Sequence, residues 1–598
     1  MECTPAGAHQ FQSPVVEVFP HHSVSRYAYL LSTGDHPVIF RTGVQSIGVE
    51  KTPGHTNLAG EISGFGRGIL VKNCHAMSMI CHTLIFVQSI NFQYMKYILS
   101  IDLGTTSMKA VLFDGNLSSV ARAKVDYSTD YPASGWAEQD VNQWWDALKA
   151  AVGILLNNSS SPDPAEIAII AIDGMTPTVV PVDRDGNALR KAIIWMDRRS
   201  EAECRVIDDA LGEDLFNISG NHNDPSNFSP KMRWVKENEP DIYHRAEKFL
   251  FANAYLVHRL TGEFSMDETQ CGLSQLCDTL KGDWNDTLIQ GSGLDRAKLP
   301  PIYKSTDIVG RISRTAADQL GLSTQTGVIA GAMDNVAAGL GAGILGDGDL
   351  YISAGTATNV SLCTVEPRFH KSFHIYHHIV PGRWIHTAGV DYGGAGYKWF
   401  AKLIGENDYA SLDNRADVVN PGDRPLIFLP YMVGQRAPLW NSHTRGVLFG
   451  MDPSMSDGEL ARAFMEGNAY GIRRILELTR ELGIFPSEGK LTGGCSESRV
   501  YSQIFADVLG VDILRVGEMD TAPLGMAMAG ARAAGFFDDF ESITEMLSAR
   551  GGSRGIHTPE ENKSEFYNTG YKLFDTLYRQ LEPAFQELSA LSSQEELK

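Results

Sequence analysis

Leu99-Ser100-Ile101-Asp102-Leu103-Gly104-Thr105-Thr106-Ser107 is an apolar strand running into a turn of small residues, and a second strand, Ala110-Val111-Leu112-Phe113, follows it. About 250 residues later the same design returns as Leu350-Tyr351-Ile352-Ser353-Ala354-Gly355-Thr356-Ala357-Thr358. Each turn suits a phosphate. Glycine lets the backbone come close, turn N–H groups converge on the anion, and threonine hydroxyls add donors. Gly-Thr is also common in ordinary hairpins, so a single copy would decide nothing. Two copies, one per half-chain, predict duplicated domains facing each other across a nucleotide cleft. The copies differ at one position, where Asp102 in the first is Ser353 in the second. A carboxylate beside phosphates is repelled unless a cation lies between them, so Asp102 is a candidate for holding Mg2+ through its waters. Lys109, in the following strand, stays open between a role there and a plain structural cation.

Strands and helices alternate through the rest of this region, as in an α/β protein. Ile167 to Ile172 and Val179 to Val182 are short apolar strands, and Trp144 to Leu156 has the pattern of an amphipathic helix. Near the end, Tyr567, Tyr571, Phe574, Tyr578, Leu581, Phe585 and Leu588 step by four and three, which predicts a closing helix packed on a core. At 598 residues the chain calls for two or more large domains. Its 43% apolar and 21% charged residues are globular values. A net charge of −21 argues against a general nucleic-acid or acidic-membrane surface, but not against a nucleotide, which needs only local positive dipoles. The eight Cys show no paired spacing, as expected in a reducing compartment. No apolar run reaches the roughly 18–20 residues of a membrane span, and the most hydrophobic stretch, Ala76 to Ile90, is broken by His82 and Gln88. The start, Met1-Glu2-Cys3, lacks a basic n-region, so cytoplasm is the expected location.

Residues 1–94 read differently. They hold 7 of the 17 His and 3 of the 8 Cys and show no clear strand–helix alternation. The pattern changes at Met95, where a buried strand begins at once. The expectation is an upstream extension at 1–94, poorly ordered, with Met95 as the native start; the rival is a genuine regulatory or targeting segment.

From Met95 to the C-terminus, some five-sixths of the chain, the motifs resemble the FGGY carbohydrate kinases of the actin-like ATPase superfamily. Asp102 to Thr105 is similar to that family's first phosphate motif and Ser353 to Thr356 to its second. Gly331-Ala332-Met333-Asp334-Asn335 resembles the catalytic element. Leu491-Thr492-Gly493-Gly494-Cys495-Ser496-Glu497-Ser498 resembles the adenosine motif. Gly446 to Glu466 nearly fits a family signature, with Phe464 where a smaller or aliphatic residue is usual. Trp136 to Asp140 with Trp144-Trp145, Ala192 to Arg199, Leu260 to Phe264 and Phe428 to Pro438 are closest to xylulokinase-like members.

The resemblance implies an α/β fold of two actin-like (ribonuclease H-like) domains flanking a nucleotide/sugar cleft. It assigns 95–345 to sugar binding and the first phosphate motif, and 346–598 to nucleotide binding. It implies ATP and Mg2+ as cofactors, a small sugar as acceptor, and a homodimer as one open assembly. Phosphorylating a sugar hydroxyl needs a held γ-phosphate, a metal, an aligned acceptor and a home for the proton. Asp334, after the apolar Val328-Ile329-Ala330, reads by itself as a helix N-cap; the resemblance makes it the general base, with Asn335 bonding a neighbouring hydroxyl. Nucleotide contacts are expected at Gly104, Thr105, Thr106, Gly355, Thr356, Gly493, Gly494 and Ser498. Sugar contacts are expected at Asp102, Met175, Thr176, Trp195, Asp334 and Asn335, although Trp195 reads almost as well as a core residue.

Where xylulokinases show Met-His, this chain has Thr176-Pro177, and glycerol kinases would show Arg-Glu. Glycerol is thereby disfavoured. D-xylulose, giving xylulose 5-phosphate, leads over another ketose or a pentitol. A sugar sensor without turnover and a chaperone-like ATPase are the competing classes; the intact Asp334 speaks against the first, and the Trp195 segment against the second. Gly341 to Gly346 fits a dinucleotide pattern but ends a helix instead of opening one. His370, His374, His377 and His378 lack Cys or Glu partners at ligand spacing and read as packed or solvated. No P-loop motif is present. Mass spectrometry of the natively expressed protein is expected to find no peptides from 1–94; finding them would rule out initiation at Met95.

Overall fold

The structure is a computed structural model that describes residues 96–158, 161–517, 520–551 and 553–593. Ahead of them it describes three strand segments, Val16–Val18, Ala28–Ser32 and Pro37–Arg41, paired antiparallel. The expected start at Met95, and most of 1–94, lie outside the described residues. Tyr94–Lys598 forms a unit of its own.

An antiparallel meander opens that unit: β1 (Tyr97–Leu103), β2 (Ser107–Asp114) and β3 (Ser119–Asp126). β4 (Ile167–Gly174) runs parallel to β1, and every residue of it is buried, as an apolar strand covered on both faces requires. β5 (Ile308–Arg311) and β6 (Gly327–Ile329) finish the far edge, and the short β7 (Ala332–Met333) also pairs with β4. The second sheet is built from β8 (Leu350–Ala354), β9 (Thr358–Thr364), β10 (His374–His377), β11 (Trp384–Val390), β12 (Glu488–Thr492), β13 (Asp512–Val516) and β14 (Ser553–His557).

The two sheets repeat one topology. The order β3-β2-β1-β4-β6-β5 in the first matches β11-β9-β8-β12-β13-β14 in the second, with β10 added outside β11. In both, the strands along this path follow the same sense: a three-stranded antiparallel meander, two parallel strands and an antiparallel edge. Asp102 pairs with Lys109 and Leu103 with Met108 across the first hairpin; Ser353 pairs with Asn359 and Ala354 with Thr358 across the second. The Gly104 N–H donates to Ser107 O at 3.1 Å, and the Gly355 N–H to Ala357 O at 2.9 Å. The predicted pair of Gly-Thr turns therefore sits at equivalent points of duplicated sheets.

Helices cover the sheets: α1 (Val141–Leu156), α2 (Phe228–Asn238), α3 (Asp334–Gly341), α4 (Gly393–Leu403), α5 (Asp457–Glu481), α6 (Arg499–Leu509), α7 (Thr521–Ala534) and α8 (Ser564–Ser593). The Gly-x-Gly-x-x-Gly pattern begins on the last residue of α3, so it closes a helix. In α8, Tyr567, Phe574, Tyr578 and Phe585 are buried as the periodicity predicts, whereas Leu588 at the end of the stripe is 49% exposed. Tyr567 also joins a buried network, where the Arg462 Nη2 group donates to its hydroxyl at 2.8 Å and that hydroxyl donates to Glu466 Oε1 at 3.0 Å. The unusual Phe464 stacks between Phe400 and Phe428.

The halves interlock through α3 and α7. A Cβ placed on Gly341 would lie 1.9 Å from Thr521 O, and one on Gly525 would lie 1.9 Å from Ala337 O. Only the missing side chains let the two backbones cross this closely. α7 then lies on the first sheet, where Ser100 Oγ donates to Pro523 O at 2.7 Å. At its start Asp520 takes Lys109 Nζ at 3.3 Å and Arg122 Nη1 at 3.0 Å. Gly525→Ala should lower stability by about 1–3 kcal/mol in urea unfolding, because the obstructing atom is backbone and cannot rotate away; an unchanged midpoint would show that the helices can part freely.

Candidate active site

Three carboxylates meet at the C-terminal edge of the first sheet. Asp102 on β1 and Asp173 on β4 are Cα partners in parallel register, and Asp334 opens α3. A sharp turn delivers Asp334. Gly331 has φ +87°, and a Cβ there would lie 2.0 Å from Ile172 O. The Met333 N–H then donates to Thr269 Oγ1 at 3.0 Å, and the Thr269 hydroxyl is in turn bonded to Asp267. Asp334 is the first residue of its helix and not the cap; its Oδ1 accepts from the Asn335 N–H at 2.7 Å.

Burial and then the charge of Asp102 push the Asp334 carboxyl up to about 7. Burial also raises Asp102, against the pull of Lys109, whose Nζ lies 3.5 Å from Asp102 Oδ2. Asp173 is 0% exposed, and its carboxyl oxygens meet no donor other than the carboxyl of Asp102 beside them. Burial first, then Asp102 and Asp334, hold its carboxyl well above the usual range. A polar group in this state calls for an explanation such as a bound ion or water. Three carboxylates against one lysine, itself shared with Asp520, fit a divalent cation beside Asp102. Among the described residues no three His, Cys, Asp or Glu side chains converge as a metal cage. One or two carboxylates with substrate phosphates is the usual arrangement for Mg2+.

A cavity of about 230 Å3 opens beside Asp334. Thr105, Thr176, Pro177, Trp195, Asp334 and Asn335 line one side. Asn335, on that wall, has a buried Oδ1 with no hydrogen-bond partner. Trp195 is on the wall, and its indole N–H donates to Thr105 Oγ1 at 2.9 Å, which ties this wall to the first Gly-Thr turn. The Trp195 segment is anchored by Arg199, wholly buried between the rings of Trp136 and Trp234 and paired with Asp197 and Glu138, both at 2.7 Å. The two sequence stretches around Trp136 and Trp195 thus pair with each other.

The opposite wall comes from the second half of the chain. Asn359, His374, Tyr376, Asp391, Arg436 and Trp440 line it. Asp391 Oδ1 accepts from Arg436 Nη2 at 2.7 Å and Nε at 3.0 Å, and Oδ2 accepts from the Arg436 backbone N–H at 2.8 Å. Asp224, also on the wall, is paired with Arg198 at 2.8 Å. Burial, followed by Arg436, pulls the His374 imidazole down to about 4, so it is neutral.

A second cavity of about 330 Å3 lies past the other turn, lined by Gly355, Gly494, Ser498, Tyr397, Tyr409 and Tyr501 among others. α4 opens against this turn. A Cβ on Gly394 would lie 2.1 Å from Gly355 O, and the Ala395 N–H donates to Thr356 O at 3.0 Å. A helix N-terminus set there favours an anion.

Of the residues singled out from sequence, Thr105, Thr176, Trp195, Asp334 and Asn335 share the first cavity, and Gly355, Gly494 and Ser498 the second. Gly104, Thr106, Thr356 and Gly493 belong to the turns between them. Asp102 stands behind the first cavity and not on its wall. Met175 does not face it either: its side chain is 1% exposed within the apolar core of the first half. It sits one residue past β4, where an inward position was mistaken for a cavity position. Asp173, Asp224, His374, Asp391 and Trp440 were missed. Asp173 carried a signal, a charged residue in register with Asp102 at the end of an apolar run. His374, set aside with its neighbours, takes Asn221 Oδ1 at 3.1 Å, while His377 and His378 bond main-chain carbonyls.

The chain matches the model of the FGGY family of carbohydrate kinases, N-terminal domain, over residues 97–341, and that of the C-terminal domain over 350–534. It is 31% identical over 491 residues to the xylulose kinase of Escherichia coli K12, covering 81% of this chain and 99% of that protein. It is 27% identical over 508 residues to the gluconokinase of Bacillus subtilis, covering 82% and 98%. Among solved structures, xylulose kinases from Brucella ovis and Rhodospirillum rubrum, each 28% identical, superpose with TM-scores of 0.76 and 0.75 over 82% of this chain and 100% of theirs. No helix among the described residues is long and apolar enough to cross a membrane.

Proposed function

The chain belongs to the FGGY family of carbohydrate kinases, phosphotransferases with an alcohol group as acceptor, and on that premise we propose that it transfers the γ-phosphoryl group of ATP to D-xylulose, forming xylulose 5-phosphate. The observation that carries the acceptor class is the state of Arg436. Its guanidinium is already engaged by Asp391, and Arg198 is engaged by Asp224. Asp334 is then the lining carboxylate without a cation, and His374 is neutral. Such a wall repels a substrate carboxylate and suits the hydroxyls of an uncharged sugar. This favours a ketose over an aldonate such as gluconate. Thr176 and Pro177 replace the Met-His of xylulokinases, so the pattern of hydroxyls read on that wall is this chain's own.

On this reading 95–345 supplies the Asp102 turn and most of the acceptor wall, and 346–598 supplies the nucleotide cavity and the remainder. The N–H groups of Thr105, Thr106 and Thr356 cradle the phosphates, and Gly104 and Gly355, whose own N–H groups close the turns, let the backbone approach them. Gly493, Gly494 and Ser498 receive the adenosine. Asp102, with Asp173 behind it, would hold Mg2+, whose charge offsets that of the phosphates when bound. Asn335 accepts from an acceptor hydroxyl through its free Oδ1. Asp334 takes the proton of the attacking hydroxyl, and burial has already raised its basicity toward that of the task. Trp195 shields the sugar and passes its position to Thr105.

Asp334 acts only when ionised, so acceptor kcat/KM should fall about tenfold per pH unit below about 7. Asp334→Asn should abolish that limb and cost roughly 10²–10⁴-fold in turnover while ATP still binds; turnover at the wild-type rate would place the base elsewhere. A coupled ADP-release assay over D-xylulose, a second ketose, a pentitol, D-gluconate and glycerol should rank D-xylulose first and leave gluconate at background. Gluconate as the best acceptor would overturn the charge argument.

A further inference from the structure

Lys231 is in the first turn of α2 and is wholly buried. The helix does not explain it, since a cation near a helix N-terminus opposes the helix dipole. No carboxylate lies within ion-pair distance of it among the described residues. The two nearest acids by electrostatic effect, Asp197 and Asp224, are each already paired, with Arg199 at 2.7 Å and Arg198 at 2.8 Å. Instead Lys231 Nζ donates to two main-chain carbonyls, Ile194 O at 2.7 Å and Pro177 O at 3.1 Å. Burying an ammonium ion without a counter-ion is expensive, and general stability is better served by an apolar side chain of the same length.

The two carbonyls show what the charge does. Pro177 is itself on the acceptor wall, next to Thr176. Ile194 precedes Trp195, which is on the same wall and bonded to the Thr105 hydroxyl of the phosphate turn. One ammonium group therefore joins the two chain segments that frame the acceptor, from behind, without touching the cavity. We propose that Lys231 is the positioning residue that sets the spacing between the Thr176-Pro177 wall and the Trp195 wall, and thereby the affinity for the acceptor. This rests on the assignment of that cavity to the sugar. The segment it holds is the one in which Thr-Pro stands for Met-His, so the lysine fixes the part of the site that distinguishes this chain.

Burial pulls the Lys231 ammonium down to about 7, opposed by Asp197 and Asp224 and assisted by Arg198 and Arg199, the charged groups that face it. A neutral amine donates more weakly to the two carbonyls. The clamp is thus strongest below pH 7 and loosens as pH rises through that value.

The test is steady-state kinetics of full-length wild type and Lys231→Met, with acceptor and ATP varied separately. The acceptor KM should rise roughly tenfold to a hundredfold in the variant, with the ATP KM changed by less than about twofold. In wild type the acceptor KM should also climb between about pH 6 and 9, a change absent from Lys231→Met, while the acidic limb of Asp334 persists in both. A variant that melts earlier but keeps both KM values, or raises both equally, would overturn the proposal and leave Lys231 a structural residue. Should the variant fail to fold, the wild-type pH series decides alone: a flat acceptor KM overturns the proposal. Absence of sugar-dependent ADP release from wild type would sink the acceptor assignment and this inference together, whereas an unchanged KM sinks only the inference.

Discussion

Asp102, Asp173 and Asp334 crowd three carboxyl groups onto one edge of the first sheet, where burial raises the pKa of each and Asp102 repels the other two. On the proposed reading the rest of the site is arranged around that repulsion. The proposed phosphate grip is built from neutral parts, backbone N–H groups of two Gly-Thr turns and the N-terminus of α4, which attract an anion without adding a fixed cation. The one nearby lysine is divided between Asp102 and Asp520. What remains is a buried carboxyl on Asp173 with only the Asp102 carboxyl beside it, and an Asp334 carboxyl raised to about 7. Both are what a site prepared for a divalent cation and a hydroxyl proton requires.

The same residues tie the halves together. Lys109 belongs to the first sheet and Asp520 starts the helix that crosses α3 on glycines. Asp334 begins α3, so the base is on the element that forms the crossing. A change in the angle between the halves would therefore be felt at the base and at the phosphate turn together.

Local features were legible in the sequence. The duplicated turns could be read because each depends on a few adjacent residues, and both fell at equivalent points of the two sheets. The closing helix was read from periodicity, with Leu588 exposed because the stripe outlasts the core. Asp334, Asn335 and Trp195 were named through family resemblance, and the cavity brings them together. The far wall was not legible: Asn359, His374, Asp391, Arg436 and Trp440 come from separate loops and strands that only tertiary packing unites. Met175 shows the opposite case, an expected sugar contact whose side chain packs into the core. Lys231 illustrates the hardest case, a charge whose purpose is two carbonyls 37 and 54 residues away.

The central claim is that the two turns grip one polyphosphate and present its end to Asp334. A crystal structure with a non-hydrolysable ATP analogue, Mg2+ and D-xylulose tests it most directly. The account predicts the β- and γ-phosphates within hydrogen-bond reach of the N–H groups at Thr105-Thr106 and Thr356, with a sugar hydroxyl between the γ-phosphorus and the Asp334 carboxylate. Phosphates bound away from either turn, or a sugar whose hydroxyls do not approach Asp334, would contradict it.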